Sequence, residues 1–286
     1  MAKSFTIQDF FKRFPDEDAC LAHLFTLRYG VDYKCPKCGV IGEFKRLRNL
    51  PAYTCNCGHH LHPMVGTIFQ KSHVELTKWF YAIYLFTTSR HGVPAKELER
   101  QLGVSYPTAF RMAHLIRQHM GRTDGNPTLG GHVEADETYV GGHRKGGKGG
   151  RSAKGNKTVV FGVLERGGDV ITKVVSDVSS RTLGGHIGRF VEPGSTVSTD
   201  EWRGYRGLGK RGYDHGTVNH GREEWVHGAH HTNSIEGFWS LLKRSISGTH
   251  VHVSRQHLEK YLSEFEFRYN LRHSPQAMFL RLVASL

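Results

Sequence analysis

The chain has 286 residues with 39 Lys+Arg against 26 Asp+Glu, a formal charge of +13 with its 20 histidines neutral. That length exceeds what one hydrophobic core usually organises, and 38% hydrophobic with 11% aromatic residues excludes a disordered basic tail. No run of about eighteen apolar residues occurs, which excludes a membrane-spanning helix. The acidic, amphipathic start MAKSFTIQDFFKRFPDEDAC is not a signal peptide, so the protein is expected in the cytoplasm. A cationic surplus of this size favours a polyanionic partner, because Lys and Arg displace the counterions condensed on nucleic acid.

Over residues 4–29, Phe10, Phe11, Phe14, Leu21, Leu24, Phe25 and Leu27 recur at helical spacings, interrupted by Pro15. A cysteine-bearing segment follows to about residue 66. LTKWFYAIYLFTTSRHG then carries an aromatic stripe that reads as core packing and a stop at His91-Gly92. Residues 94–102 predict a short helix, Gly103 a turn, and residues 106–120 a longer helix. The turn-rich stretch TDGNPTLGG marks a boundary. Beyond it the periodicity becomes strand-like: HVEADETYVGG, KTVVFGVLERGG and DVITKVVSDV, the last two joined as a hairpin through Gly167-Gly168. RTLGGHIGRFV predicts a helix, STVSTD a fourth strand and GTVNH a fifth. Residues 232–286 read as two helices with a break at 248–254 and a stop at His273-Ser274-Pro275. Strands followed by a mixed part and closing helices give an α/β layout.

Four of the five cysteines stand close together, as Cys35-Pro-Lys-Cys38-Gly and Cys55-Asn-Cys57-Gly-His-His-Leu-His. Two short thiolate pairs around a small β-like spacer suit a structural, tetrahedral Zn²⁺. The second pair is CxC, so His59, His60 or His62 is the alternative to Cys57 as fourth ligand. Cys20 is expected to pack as a small hydrophobe.

The pair of helices around Gly103 has the dimensions of a helix-turn-helix, with Arg111, His114, Arg117 and Gln118 expected near DNA. GGHRKGGKGGRSAKGNK lacks the Ser or Thr and the following helix of a phosphate-binding P-loop. It reads instead as a backbone clamp on nucleic acid, with Lys145 and Lys148 among its cations. Asp136 and Asp200 each end a β-branched run, and Glu236 lies on a predicted helix with Asn233 one turn before it and Lys243 two turns after it. Two strand-end aspartates and a helix-borne glutamate are the hard-oxygen set that a two-metal phosphoryl-transfer site needs. Trp239 is expected in the core.

Taken together, CPKCG with a second cysteine pair, GTIFQKSHVELTKWFYAIY, LGVSYPTAFRMAHLIR, VEADETYVGG, STDEWRGY and HTNSIEGFWSLLKRSISGTH followed by EFEFRYNLR resemble an insertion-sequence transposase of the IS1595 (ISXO2-like) group. The resemblance spans nearly the whole chain. It implies a ribonuclease H-like catalytic domain with Asp136, Asp200 and Glu236 as the DDE acids, Lys243 as the basic residue after the third acid, and Mg²⁺, two per site, or Mn²⁺ as cofactor. The implied plan is an N-terminal helical segment at 1–30, a zinc ribbon at 31–66, a helix-turn-helix region at 67–122 and the catalytic domain at 132–286. Implied too are binding of terminal inverted repeats and target DNA, strand cleavage and transfer, a homo-oligomer on DNA, and residence at the bacterial nucleoid. The rival readings are a non-catalytic zinc-ribbon and helix-turn-helix regulator, or a structure-specific nuclease on the same fold.

Overall fold

A computed structural model describes residues 5–125, 127–141, 157–219, 221 and 225–286, so Lys145 and Lys148 lie outside the described residues. The chain divides into two units, the first comprising Met1–Ser89, Ala95–His119 and Ser274–Leu286, and the second Arg90–Pro94 and Met120–His273.

In the first unit Thr6 and Asp9 close a reciprocal capping box that starts α1 (Ile7–Arg13). Asp16 accepts from the Ala19 N–H to start α2 (Glu17–Tyr29), and Pro15 falls between the two helices. The short strands β1 (Phe44–Arg46), β2 (Tyr53–Cys55) and β3 (His60–Leu61) form an antiparallel sheet in that order. Helix α3 (Leu76–Thr88) buries Trp79, Phe80, Ile83, Tyr84 and Phe86, so its aromatic stripe is core. It stops at Thr88, before the expected His91-Gly92. Helices α4 (Ala95–Leu102) and α5 (Tyr106–Asp124) meet at Gly103, whose φ of +62° suits a residue without Cβ.

The second unit holds β4 (His132–Val140), β5 (Thr158–Glu165) and β6 (Val170–Val175) as an antiparallel meander, then α6 (Ser180–Phe190). Next come β7 (Thr196–Asp200) and β8 (Asp214–Val218), with β7 parallel to both β4 and β8. The sheet order is β6-β5-β4-β7-β8. Period-two alternation divides the strands between two cores. Val133, Ala135, Phe161, Val163 and Val197 pack with Leu183 and Ile187 of α6 on one face. Val140, Val160, Leu164 and Val170 pack on the other with α7 (Asn233–Ser245) and α8 (Arg255–Asn270). Three antiparallel strands, two parallel ones and helices on both faces make the ribonuclease H-like α/β fold.

Between α7 and α8 the chain runs through one π-helical turn, Ile246–His250. After α8 the sequence had suggested a stop, yet Pro275 sits in the first turn of a further helix, α9 (Pro275–Ala284). A proline has no N–H to lose there and its fixed φ suits a helix start. Residues 274–286, read from the sequence as part of the catalytic region, belong to the first unit, where Phe279 packs against Phe10, Phe14 and Phe80.

Strand β6 is a sheet edge, and α8 covers its exposed backbone. Asn270 accepts from the Val170 N–H and donates to the Val170 carbonyl, and Glu266 accepts from both the N–H and the hydroxyl of Thr172. Such pairing blunts an edge that would otherwise template another strand. Burial pushes the Glu266 carboxyl up to about 7 against the pull of its Thr172 bonds. Because the folded state holds this proton more tightly than the unfolded chain, stability should fall as pH rises from about 4.5 to about 7. Thermal melts of Glu266→Gln should lack that component, flattening the profile relative to the parent by up to about 3 kcal/mol; parallel profiles for the two proteins would contradict it.

Candidate functional site

Strand β4 pairs with β7 in the register Glu134↔Ser198, and Asp136 and Asp200 each lie two residues beyond that pair. Asp200 ends β7 as the sequence suggests, but Asp136 stands in the middle of β4, which runs on to Val140 because Thr138, Tyr139 and Val140 continue the ladder to β5. Side chains two residues on along a strand keep to the same face. On that face the Trp239 indole N–H donates to Asp136 Oδ2 at 3.1 Å. Gly162 lies opposite Asp136 on β5, and a Cβ there would stand 2.6 Å from the Trp239 ring. Glu236, one turn before Trp239 on α7, accepts from the Thr232 hydroxyl at 2.6 Å. Lys243 is exposed, two turns beyond Glu236 and near the same helical face.

Asp136 feels the charge of the other two acids. Desolvation and then the charges of Glu137 and Asp200, with a contribution from Glu236, push the Asp136 carboxyl up to about 7. Like-charge crowding of this kind is relieved by a cation. Among the described residues only the four cysteines group their ligand atoms within 4.8 Å; the three acids do not form a second such group.

Glu134 had no place in the sequence reading. It is fully buried on β4, two residues before Asp136 on the same face. Its carboxylate accepts from the N–H groups of Ser234 and Ile235 at 2.8 and 3.0 Å, from the Ser234 hydroxyl at 3.0 Å and from Arg166 at 2.9 Å. It caps α7 from the sheet, at the end where the helix dipole favours negative charge. The available signal was a second acid on the inward face of a β-branched strand, which must find donors when buried.

Arg166 also donates to the carbonyls of Ala229 and His231 and to His132 Nδ1. His132 in turn meets Ser198 Oγ at 2.8 Å, and Ser198 meets His230 at 2.9 Å. The His230 ring lies over Gly216, where a Cβ would come within 2.3 Å of it. These contacts tie the approach to α7 onto the sheet.

In the first unit Cys35 Sγ lies 3.6 Å from Cys57 Sγ and Cys38 Sγ 3.5 Å from Cys55 Sγ. Four thiolates about 2.3 Å from one tetrahedral Zn²⁺ stand about 3.8 Å apart, so the donor set fits that ion. Each pair is followed by a glycine at positive φ, Gly39 at +77° and Gly58 at +80°, and both glycine N–H groups return to the carbonyl of the first cysteine of their pair. The CxC spacing thus brings Cys57 into the group, and none of His59, His60 or His62 joins it. Burial opposes charge on Cys35, but N–H groups of Cys38 and Lys37 aimed at its sulfur outweigh it and hold the thiol down at about 7.

On α5, Arg111 and Gln118 are exposed, whereas His114 and Arg117 are buried. The expectation that all four face DNA therefore needs correcting for His114 and Arg117. The Arg117 guanidinium sits over the Phe86 ring at 5.1 Å and the His114 ring lies tilted against Phe110 at 4.0 Å, because both side chains fall on the helix face that carries Ala113 and Ile116 into the core.

Two family models match the chain, the ISXO2-like transposase domain over residues 128–270 and the transposase zinc-ribbon domain over residues 15–60. A protein of the transposable element ISH50 of Halobacterium salinarum is 29% identical over 293 residues, covering 95% of this chain and 97% of its own length. An uncharacterised transposase-like protein of Haemophilus influenzae is 35% identical over 101 residues, covering 35% of this chain and 80% of its own. A pre-cleavage Mos1 transpososome structure aligns with a TM-score of 0.24 at 14% identity, covering 72% of this chain and 78% of that one.

The cysteine geometry predicts one zinc per chain in the purified full-length protein. Metal analysis of Cys57→Ala should fall below about half an equivalent, while His59→Ala and His62→Ala retain a full one. Zinc retained by Cys57→Ala and lost from a histidine variant would move the fourth ligand.

Proposed function

Because this chain belongs to the ISXO2-like transposase family, we propose that it binds the terminal inverted repeats of an insertion sequence, cleaves their strands and joins them to target DNA. The catalytic acids in this reading are Asp136, Asp200 and Glu236. The observation that carries it is that Asp136 and Asp200 each lie two residues past the Glu134↔Ser198 pair of two adjacent parallel strands, with the charges of Asp200 and Glu236 felt at Asp136.

The three carboxylates suit Mg²⁺ or Mn²⁺: they are hard oxygen donors, and the charges of Asp200 and Glu236 bear unfavourably on Asp136 until positive charge enters. Such ions, when bound, supply Lewis-acid polarisation of a phosphoryl oxygen and lower the pKa of water. The protein's own part is positioning and proton control. Thr232 fixes one oxygen of Glu236, and Trp239 fixes one oxygen of Asp136. Lys243 holds a DNA phosphate against the site as a mobile point charge. Water's oxygen attacks phosphorus and the 3′-oxygen leaves; that 3′-hydroxyl then attacks a target phosphodiester, displacing the target's 3′-oxygen. One phosphodiester forms as one breaks, so the joining step needs no energy-rich cofactor.

Recognition falls to the first unit, with the zinc ribbon and the α4–α5 pair as its DNA-reading parts and Arg111 and Gln118 as the exposed side chains on α5. The basic segment with Lys145 and Lys148 supplies phosphate contacts without base readout, since a glycine-rich chain lacks the rigidity for it. This reading places the protein at the cytoplasmic nucleoid, as a homo-oligomer spanning two element ends.

Asp136→Asn should abolish strand cleavage and leave binding to element ends intact, measured by strand-end mapping beside a gel-shift titration; cleavage surviving the change would move the chemistry elsewhere. A proton and a divalent cation compete for Asp136, whose proton leaves only near pH 7 without metal. The Mg²⁺ concentration for half-maximal cleavage should rise about tenfold per pH unit below 7, and a requirement flat from pH 5.5 to 8 would exclude that competition. Arg111→Ala should erode discrimination between element ends and random DNA, whereas Arg117→Ala should lower the melting temperature with little change in discrimination, read by competition binding.

A further inference from the structure

Helix α7 is held to strand β4 at two points on one face. At its N-terminus the N–H groups of Ser234 and Ile235 meet Glu134, and further along the Trp239 indole meets Asp136. Glu134 and Asp136 are two residues apart on a strand, about 6.6 Å. Ser234 or Ile235 to Trp239 is four or five residues of helix, about 6 to 7.5 Å. The two spacings match, so both contacts form with the helix running along the strand in the same direction. Glu236 lies between the two anchors.

The geometry points to Glu134 and Trp239 as a pair of positioning residues that set the axial register of α7 on β4, and with it the place of Glu236 relative to Asp136. The inference rests on the assignment of Asp136 and Glu236 as catalytic acids. A slip of one residue turns a helix by about 100° and carries Glu236 off the sheet face. Hydrophobic packing of Phe238, Leu242 and Ile235 alone sets no such register, because apolar contacts are non-directional. Gly162 belongs to the device. Any side chain there would strike the indole, and Thr172, its partner on β6, turns to Glu266 of α8 instead.

Trp239→Phe keeps the ring and removes the donor. In the zinc-loaded full-length protein, Mn²⁺ affinity measured by calorimetry should fall about tenfold or more, as for other residues that orient a metal ligand. The melting temperature should change little, kcat for cleavage should drop and KM for element-end DNA should hold. Gly162→Ala, which forces the indole away from the opposite side, should lower Mn²⁺ affinity in the same direction. Leu242→Ala, buried in the same cluster on the same helix, should lower the melting temperature and leave Mn²⁺ affinity unchanged.

A metal-free readout is the indole N–H resonance of Trp239, assigned by its loss in Trp239→Phe, which should shift in Asp136→Asn. Parent-like Mn²⁺ affinity in Trp239→Phe, an equal loss in Leu242→Ala, or an unmoved resonance would each overturn the inference. If Asp136→Asn itself still cleaves, the catalytic assignment fails; if Asp136→Asn is dead and Trp239→Phe binds Mn²⁺ and cleaves like the parent, only the register device fails.

Discussion

One buried carboxylate constrains the second unit more than any other single group. Glu134 is fully buried between Val133 and Ala135 on β4, and it is acceptable there only because the donors of Ser234, Ile235 and Arg166 converge on it. Those donors are the start of α7 and the arginine that gathers the segment before it. A buried charge cannot be left with part of its shell, since each missing donor costs the desolvation of a charged group. The helix that bears Glu236 is therefore obliged to begin at one height on the sheet. The apolar packing of α7 then adds affinity to a placement already chosen by polar geometry.

Glycines at two registers serve the same end. Gly162 leaves room for an indole over β5, and Gly216 leaves room for the His230 ring over β8. Each is a place where a strand forgoes a side chain so that a polar ring can approach its backbone closely. The histidine, serine and arginine contacts around Ser198 run on through Arg166 to Glu134, so the polar groups on this face of the sheet form one connected network.

Much of this was legible in the sequence, and the reasons differ by element. The five strands announced themselves by β-branched runs bounded by glycine, the hairpin at Gly167 by its turn chemistry, and the cysteine group by paired spacing that only a metal explains. Asp200 could be picked because it ends such a run; Asp136 was picked on the same ground, although β4 carries on past it to Val140. Glu134 could not, because its role depends on donors about a hundred residues away that no local pattern reveals. His114 and Arg117 were misread for a related reason: charge suggests solvent, but on α5 they occupy the inward stripe with Ala113 and Ile116, and an aromatic ring takes the guanidinium. The third closing helix was missed because Pro275 looks the same whether it ends one helix or begins the next.

The return of α9 to the first unit bears on how the protein is made. Phe279 joins a cluster with Phe10, Phe14 and Phe80 that is built almost entirely from residues below 90. During synthesis the chain from Met120 to His273 must emerge before this ring can take its place, so the first unit waits, with an aromatic gap in its core, until the second has left the ribosome. A product shortened before residue 274 would carry every strand of the sheet and every acid of the candidate site, and still lack a closed first unit.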